Sequence, residues 1–208
     1  MGGKTIIAVL VLAIAGGTGY WLYVEKQKKD QRAAVTALLG DTTTQLRAAL
    51  KGAPGADLYS RLDGNLKAAK APHDRALAEA AGLYIQGARE IVRHRADAER
   101  LTREAAKSRR ALAMHMAAAS GRDSYWIRVA SDLKKRVERD HFELGVSLKA
   151  IGELLYTWPE THRQLAPLVD ASLLLEERER LEARTRTQEA ARTAADELEK
   201  ARRLALPR

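Results

Sequence analysis

Leu77, Tyr84, Ile91, Ala98, Ala105, Leu112 and Ala119 stand seven residues apart, in a stretch that no proline interrupts. Ile85, Val92, Ala106 and Ala113 widen this row into a stripe. An apolar repeat of seven sustained over this length specifies a long helix with a coiled-coil-like seam. Its expected extent is residues 73–119, with Pro72 in the first turn, where a missing N–H costs nothing. Ser120-Gly121-Arg122-Asp123-Ser124 is a short connection, with Asp123 or Ser124 placed to cap the next helix. That second long helix is expected over residues 125–157, its apolar face formed by Trp126, Val129, Ala130, Leu133, Val137, Leu144, Leu148, Ile151 and Leu155. Two long amphipathic helices joined this closely form an antiparallel hairpin. The residues expected to pack it are Leu77, Tyr84, Ile91, Leu112, Leu133, Val137, Leu144 and Ile151. Gly145 and Gly152 are read as close-approach points, where a partner docks.

Nothing in the chain alternates with period two, so no strands are expected. Hydrophobic residues make up 46% of the 208, but many are alanine, and aromatics reach only 5%. Alanine buries little apolar area, so the cores should be thin helix–helix seams. Breakers at Gly52-Ala53-Pro54-Gly55, Pro72, Ser120-Gly121, Pro159 and Pro167 divide the chain into helices. A first helix fills residues 26–50, with Gly40-Asp41-Thr42 as a point of interruption and Asp41 as a new cap. A short one is expected over 57–70. Trp158-Pro159 should end the second long helix. A final, Glu/Arg-laced helix over 171–206 is weakly amphipathic, expected to pack late, bind a partner or project into solvent.

Residues 6–24 carry no charge, and as a helix these nineteen residues span about 28 Å, close to a hydrocarbon core of roughly 30 Å. Tyr20, Trp21 and Tyr23 precede Lys26, Lys28 and Lys29, the order a membrane boundary favours. With Ile6, Leu10 and Ile14, these residues make up the expected anchor. Gly16, Gly17 and Gly19 are better tolerated in lipid than in a soluble helix. Two alternatives compete: a signal peptide cleaved after Ala15, since Ala13-Ile14-Ala15 is small-x-small, and a soluble core helix. Lys4 stands before the span against Lys26, Lys28, Lys29 and Arg32 behind it, which weakly favours a cytoplasmic bundle over a periplasmic one. The expected division is a tail and anchor over 1–24, juxtamembrane helices over 25–71, the hairpin over 72–157 and a charged helix over 158–208. The fold class is therefore all-α: a single N-terminal transmembrane helix followed by an antiparallel helical bundle, at a bacterial inner membrane.

Candidate chemistry is sparse. Without cysteine there is no disulfide, thiolate metal site or Cys nucleophile. Glu138 and His141 form a single Glu-x-x-His, where di-iron bundles need two and further glutamates. The bland reading of His141 is a seam-edge histidine satisfied by a neighbouring carboxylate. Met114-His115-Met116 lies on consecutive positions that do not share a helix face. The sequence therefore implies no metal and no cofactor. Gly2-Gly3-Lys4-Thr5 lacks the upstream glycine and strand of a phosphate loop. The net charge of +9 favours anionic partners, yet acids interleave the basic clusters and stacking aromatics are scarce, which argues against nucleic acid. No nucleophile elbow or zinc-protease pattern is complete. The function expected is non-enzymatic: a membrane-anchored scaffold, adaptor or accessory subunit, with the lipid bilayer, protein partners at helical surfaces and self-association as its contacts. The alternatives are an exported helical-bundle sensor or ligand-binding module and, third, a tethered nucleic-acid binder.

Overall fold

The seven-residue stripe forms one helix, α3 (Arg75–Ala117), in a computed structural model of the chain. The structure describes the backbone of residues 3–52, 55–70, 74–118 and 124–204, and side chains within these except at 3–19 and 55–56. The other helices are α1 (Gly3–Leu50), α2 (Gly55–Ala68), α4 (Ser124–Leu165) and α5 (Glu177–Arg203), with a 3-10 turn at Ala171–Leu173. Among the described residues there is no strand.

Asp74 starts α3 by accepting the Leu77 N–H at 3.3 Å. The same carboxylate takes Arg32 of α1 at 2.7 Å. The Arg32 hydrogen bond, aided by Leu77, holds the Asp74 pKa below the usual 3.8. Tyr84 packs edge-on against Trp158 at 4.8 Å near one end, and His115 stacks on Trp126 at 4.9 Å near the other. These two contacts make α3 and α4 antiparallel. α5 returns along α4: Arg184 lies over the Tyr156 ring and Lys134 reaches the carbonyl of Arg202. The late or projecting final helix thus lies packed, with Ala183, Ala194 and Ala201 buried.

Three expected boundaries move, each for a physical reason. α1 does not break at Gly40. Asp41, the expected cap, instead accepts from Asn65 of α2 at 2.8 Å, and Thr43, two residues on, donates its hydroxyl to the Leu173 carbonyl at 2.6 Å. Its one hydrogen being used there, the Tyr84 hydroxyl donates to Thr43 Oγ1 at 2.8 Å and accepts the Leu175 N–H at 2.9 Å. Burial pushes the Tyr84 pKa above 10.0 despite these bonds. Asp41 and Thr43 therefore join α1 to α2, α3 and the 3-10 turn. Nor does α4 stop at Pro159. Proline deprives the Leu155 carbonyl of its helical N–H partner. Arg180, almost fully buried on α5, donates to that carbonyl at 3.0 Å. The helix continues to Leu165. The final helix starts later than expected, where the Glu176 N–H meets the Glu179 carboxylate at 3.3 Å.

The core is uneven. Tyr84, Leu39, Leu46, Leu62, Leu77, Ile85, Ile91, Ile151, Leu155, Leu165, Leu174 and Leu175 are fully enclosed, all towards the end where α1 and α2 join α3, α4 and α5. Each such aliphatic or aromatic side chain stabilises by about 1.5–3 kcal/mol relative to exposure. Towards the opposite end, among the described residues, a small cluster of Leu112, Val137 and Ala201 has Met116 and Leu133 against it, and Trp126 and Ala130 are buried nearby in the chain. Among the described residues no helix is long and apolar enough to cross a membrane. Most of the expected span falls on residues 6–19, whose side chains lie outside the described ones.

Candidate functional site

α4 has two faces. Val137, His141, Leu144, Leu148, Ile151 and Leu155 are buried. One step around the helix lie Phe142, Gly145, Val146, Lys149, Gly152 and Tyr156, and that face stays open. Phe142, Val146 and Tyr156 are 56, 53 and 63% exposed. They form one wall of a groove of about 780 Å³, and Arg184, Gln188, Ala191, Arg192, Ala195 and Leu198 of α5 form the other. The groove follows α4 from Phe142 to Tyr156, about 21 Å at helical rise. Ala191 and Ala195 are the small residues of the α5 wall, among the longer Arg184, Gln188, Arg192 and Leu198.

The glycines separate sharply. A Cβ added at Gly87 would meet the Trp158 ring at 2.9 Å, so α3 and α4 touch there through the missing side chain. A Cβ added at Gly145 or Gly152 would meet nothing within 4 Å. Each of these two costs the helix about 1 kcal/mol relative to alanine. No contact inside the described chain accounts for it. Gly82 is likewise open.

The groove's rim is basic. Lys149 approaches Glu153 at 3.8 Å, Arg184 rests over Tyr156 with its guanidinium carbon 4.7 Å from the ring centre, and Arg192 has no polar partner among the described residues. The wall residues thus carry Lys149, Arg184 and Arg192 against one carboxylate, Glu153.

His141 lines this groove and also a second one, of about 700 Å³, on the α3 side of α5. It is 6% exposed, and neither ring nitrogen has a hydrogen-bond partner. The expected neighbouring carboxylate is engaged elsewhere: Asp140 takes the Ser108 hydroxyl of α3. Glu138 faces Lys134 at 3.9 Å. Burial, the largest cause, lowers the His141 pKa below 6.5; Glu197 and Asp140 oppose the shift and Arg109 adds to it. Ser108, Asp140 and His141 are near one another in the fold, but His141 hydrogen-bonds to neither, so no proton relay connects them. Arg109 and Glu197 pair at 2.7 Å and tie α3 to α5 beside it.

Of the other residues singled out in the sequence, Leu77, Tyr84, Ile91, Leu112, Val137, Leu144 and Ile151 are buried, and Leu133 is partly so. Tyr20, Trp21 and Tyr23 are 59–70% exposed on α1. Lys26 and Lys29 are exposed and Lys28 is half-buried. Ile6, Leu10 and Ile14 lie outside the described side chains. Met114 is exposed, and His115 Nε2 lies 3.0 Å from the Trp126 carbonyl, so this pair does not converge on a common centre. Among the described residues no group of three or more His, Asp or Glu is placed to hold a metal ion. The groove wall of Phe142, Val146 and Tyr156 escaped sequence reasoning; the helical spacing of these residues beside Gly145 and Gly152 was the available signal. Compared with family models, curated proteins and solved structures, the chain matches none.

Proposed function

We propose that this chain is a non-enzymatic scaffold or adaptor, held at a bilayer by a single N-terminal span that carries the helical bundle. The supporting observation is the continuity of α1: one helix runs from Gly3 to Leu50, from the uncharged stretch into the bundle core. Val35, Leu39, Leu46 and Ala49 of that helix are buried against the rest of the fold. A bundle joined to its anchor without a hinge holds its position and direction relative to the membrane. Tyr20, Trp21 and Tyr23 are exposed, bulky and aromatic, and lysines come after them. That placement suits the headgroup layer, where amphipathic rings and cations are favoured.

Alkaline carbonate extraction of membranes holding the full chain tests the anchor. The chain should stay with the lipid, and Ile14→Arg, which adds a charge to the span, should release much of it. Complete extraction of the unaltered chain would refute anchoring, and an intact mass lacking residues 1–15 would establish cleavage after Ala15. With no native cysteine, Ser60→Cys and Ser172→Cys report sidedness through a membrane-impermeant thiol reagent. Labelling in intact cells would place the bundle outside.

A further inference from the structure

We propose that the groove between α4 and α5 seats an amphipathic α-helix of a partner protein, small and apolar on its inserted face and acidic along its flanks. The inference rests on the scaffold reading and names the kind of partner the scaffold holds.

Two independent observations point to an occupant. Gly145 and Gly152 lie one heptad apart in the floor, and a Cβ at either would meet no atom of this chain. At these two points, two helical turns apart, the missing side chains allow another helix to approach more closely than side chains permit. The open residues flanking them supply the apolar wall. Separately, His141 is more than nine-tenths buried at one end of the floor, with both ring nitrogens unpartnered. A carboxylate on the flank of the seated helix that reaches the ring completes its hydrogen bonding. The groove's length of about 21 Å is four helical turns, which matches the helix-in-groove mode of recognition.

Charge selects among occupants. Lys149, Arg184 and Arg192 outnumber Glu153 around the groove, and the whole chain carries +9. A second copy would bring the same basic rim to this one. An acidic flank on a different chain complements it, speeds encounter and makes binding sensitive to salt.

The probe is a synthetic helix of about 18 residues, ~27 Å long, with Ala and Leu on one face and Glu on both flanks. Its control replaces every Glu with Lys. Both are titrated against the full chain in lipid nanodiscs, while carbonate extraction of the same protein reports anchoring on its own. Either result therefore stands if the other fails. The Glu helix should bind and weaken with salt, and the Lys helix should not bind. Gly152→Leu should weaken binding about ten-fold or more, a loss of at least about 1.4 kcal/mol, with helix content and Tm retained. Combining Arg184→Glu with Arg192→Glu should transfer preference to the Lys helix. Equal binding of the two helices, no binding of either, or an undiminished Gly152→Leu variant would overturn the proposal. So would a dimer of the full chain that Gly152→Leu dissolves, which would assign the groove to a second copy.

Discussion

Gly87 and Gly152 are both helix-interior glycines beside an apolar stripe, and they serve opposite surfaces. At Gly87 the missing side chain is filled by Trp158, and α3 and α4 close onto each other. At Gly152, and at Gly145 one heptad earlier, the missing side chain is filled by nothing in the described chain. The contrast extends to their surroundings. Tyr84, Ile85, Ile91, Ile151 and Leu155 of the α3–α4 seam are buried, whereas Phe142, Val146 and Tyr156 leave the groove wall in water. The same helix, α4, is thus a closed seam on one side and an open floor on the other. A glycine read from sequence shows that something comes close; only the fold shows whether that something is already present.

The largest test of this contrast is Trp158→Ala. It removes a buried ring and should cost about 3–5 kcal/mol in chemical denaturation. In that background Gly87→Ala should become harmless, because its obstacle is gone; a double-mutant cycle reads the coupling directly. Next in size is Arg180→Met. It strands the Leu155 carbonyl that Pro159 already left without an N–H partner, and should cost about 1–3 kcal/mol, as followed by urea unfolding. Restoring the helical donor by Pro159→Ala should make Arg180→Met milder. Gly87→Ala alone combines overpacking against Trp158 with a gain in helix propensity, for a net loss of about 1–2 kcal/mol.

Gly145→Ala and Gly152→Ala should do the reverse. Neither meets an obstacle, so each should stabilise the free chain by up to about 1 kcal/mol, raising Tm, while weakening binding of the acidic helix. A destabilising effect would mean that these positions pack inside the chain after all, and the comparison would collapse.

The smallest expected effect belongs to His141. Burial holds its folded pKa below 6.5, so the unfolded chain takes up the proton first as the pH falls. Its contribution is complete well above pH 6.5 and is lost as the pH falls through the depressed folded value. His141→Phe should flatten that part of the stability–pH curve. An unchanged curve would show that burial of His141 contributes nothing to the pH dependence.

The sequence disclosed the helical class and the hairpin because a period of seven leaves its mark on consecutive residues. Leu77, Tyr84, Ile91, Leu112, Val137, Leu144 and Ile151 could be placed on one seam by spacing alone. What stayed hidden depends on residues far apart in the chain. Pro159 reads as a helix end because Arg180, which stands in for the lost donor, comes from another helix. Asp41 reads as a cap because its partner on another helix, Asn65, is distant in sequence. The groove was half legible. Gly145 and Gly152 stood out as costly, but Arg184 and Arg192 join them only once α5 lies alongside α4, and the balanced charge of α5 gave no hint of a basic wall.

The open floor itself is tested most directly by thiol chemistry in a chain that has no cysteine of its own. Gly152→Cys in the full chain should react with a small maleimide as fast as a free thiol, and the Glu-flanked helix should slow that reaction. Ala88→Cys, on the closed seam beside Gly87, should react only when the protein is unfolded. If Gly152→Cys were as protected as Ala88→Cys in the isolated chain, the groove would be filled from within, and the proposed docking of a partner helix there would be wrong.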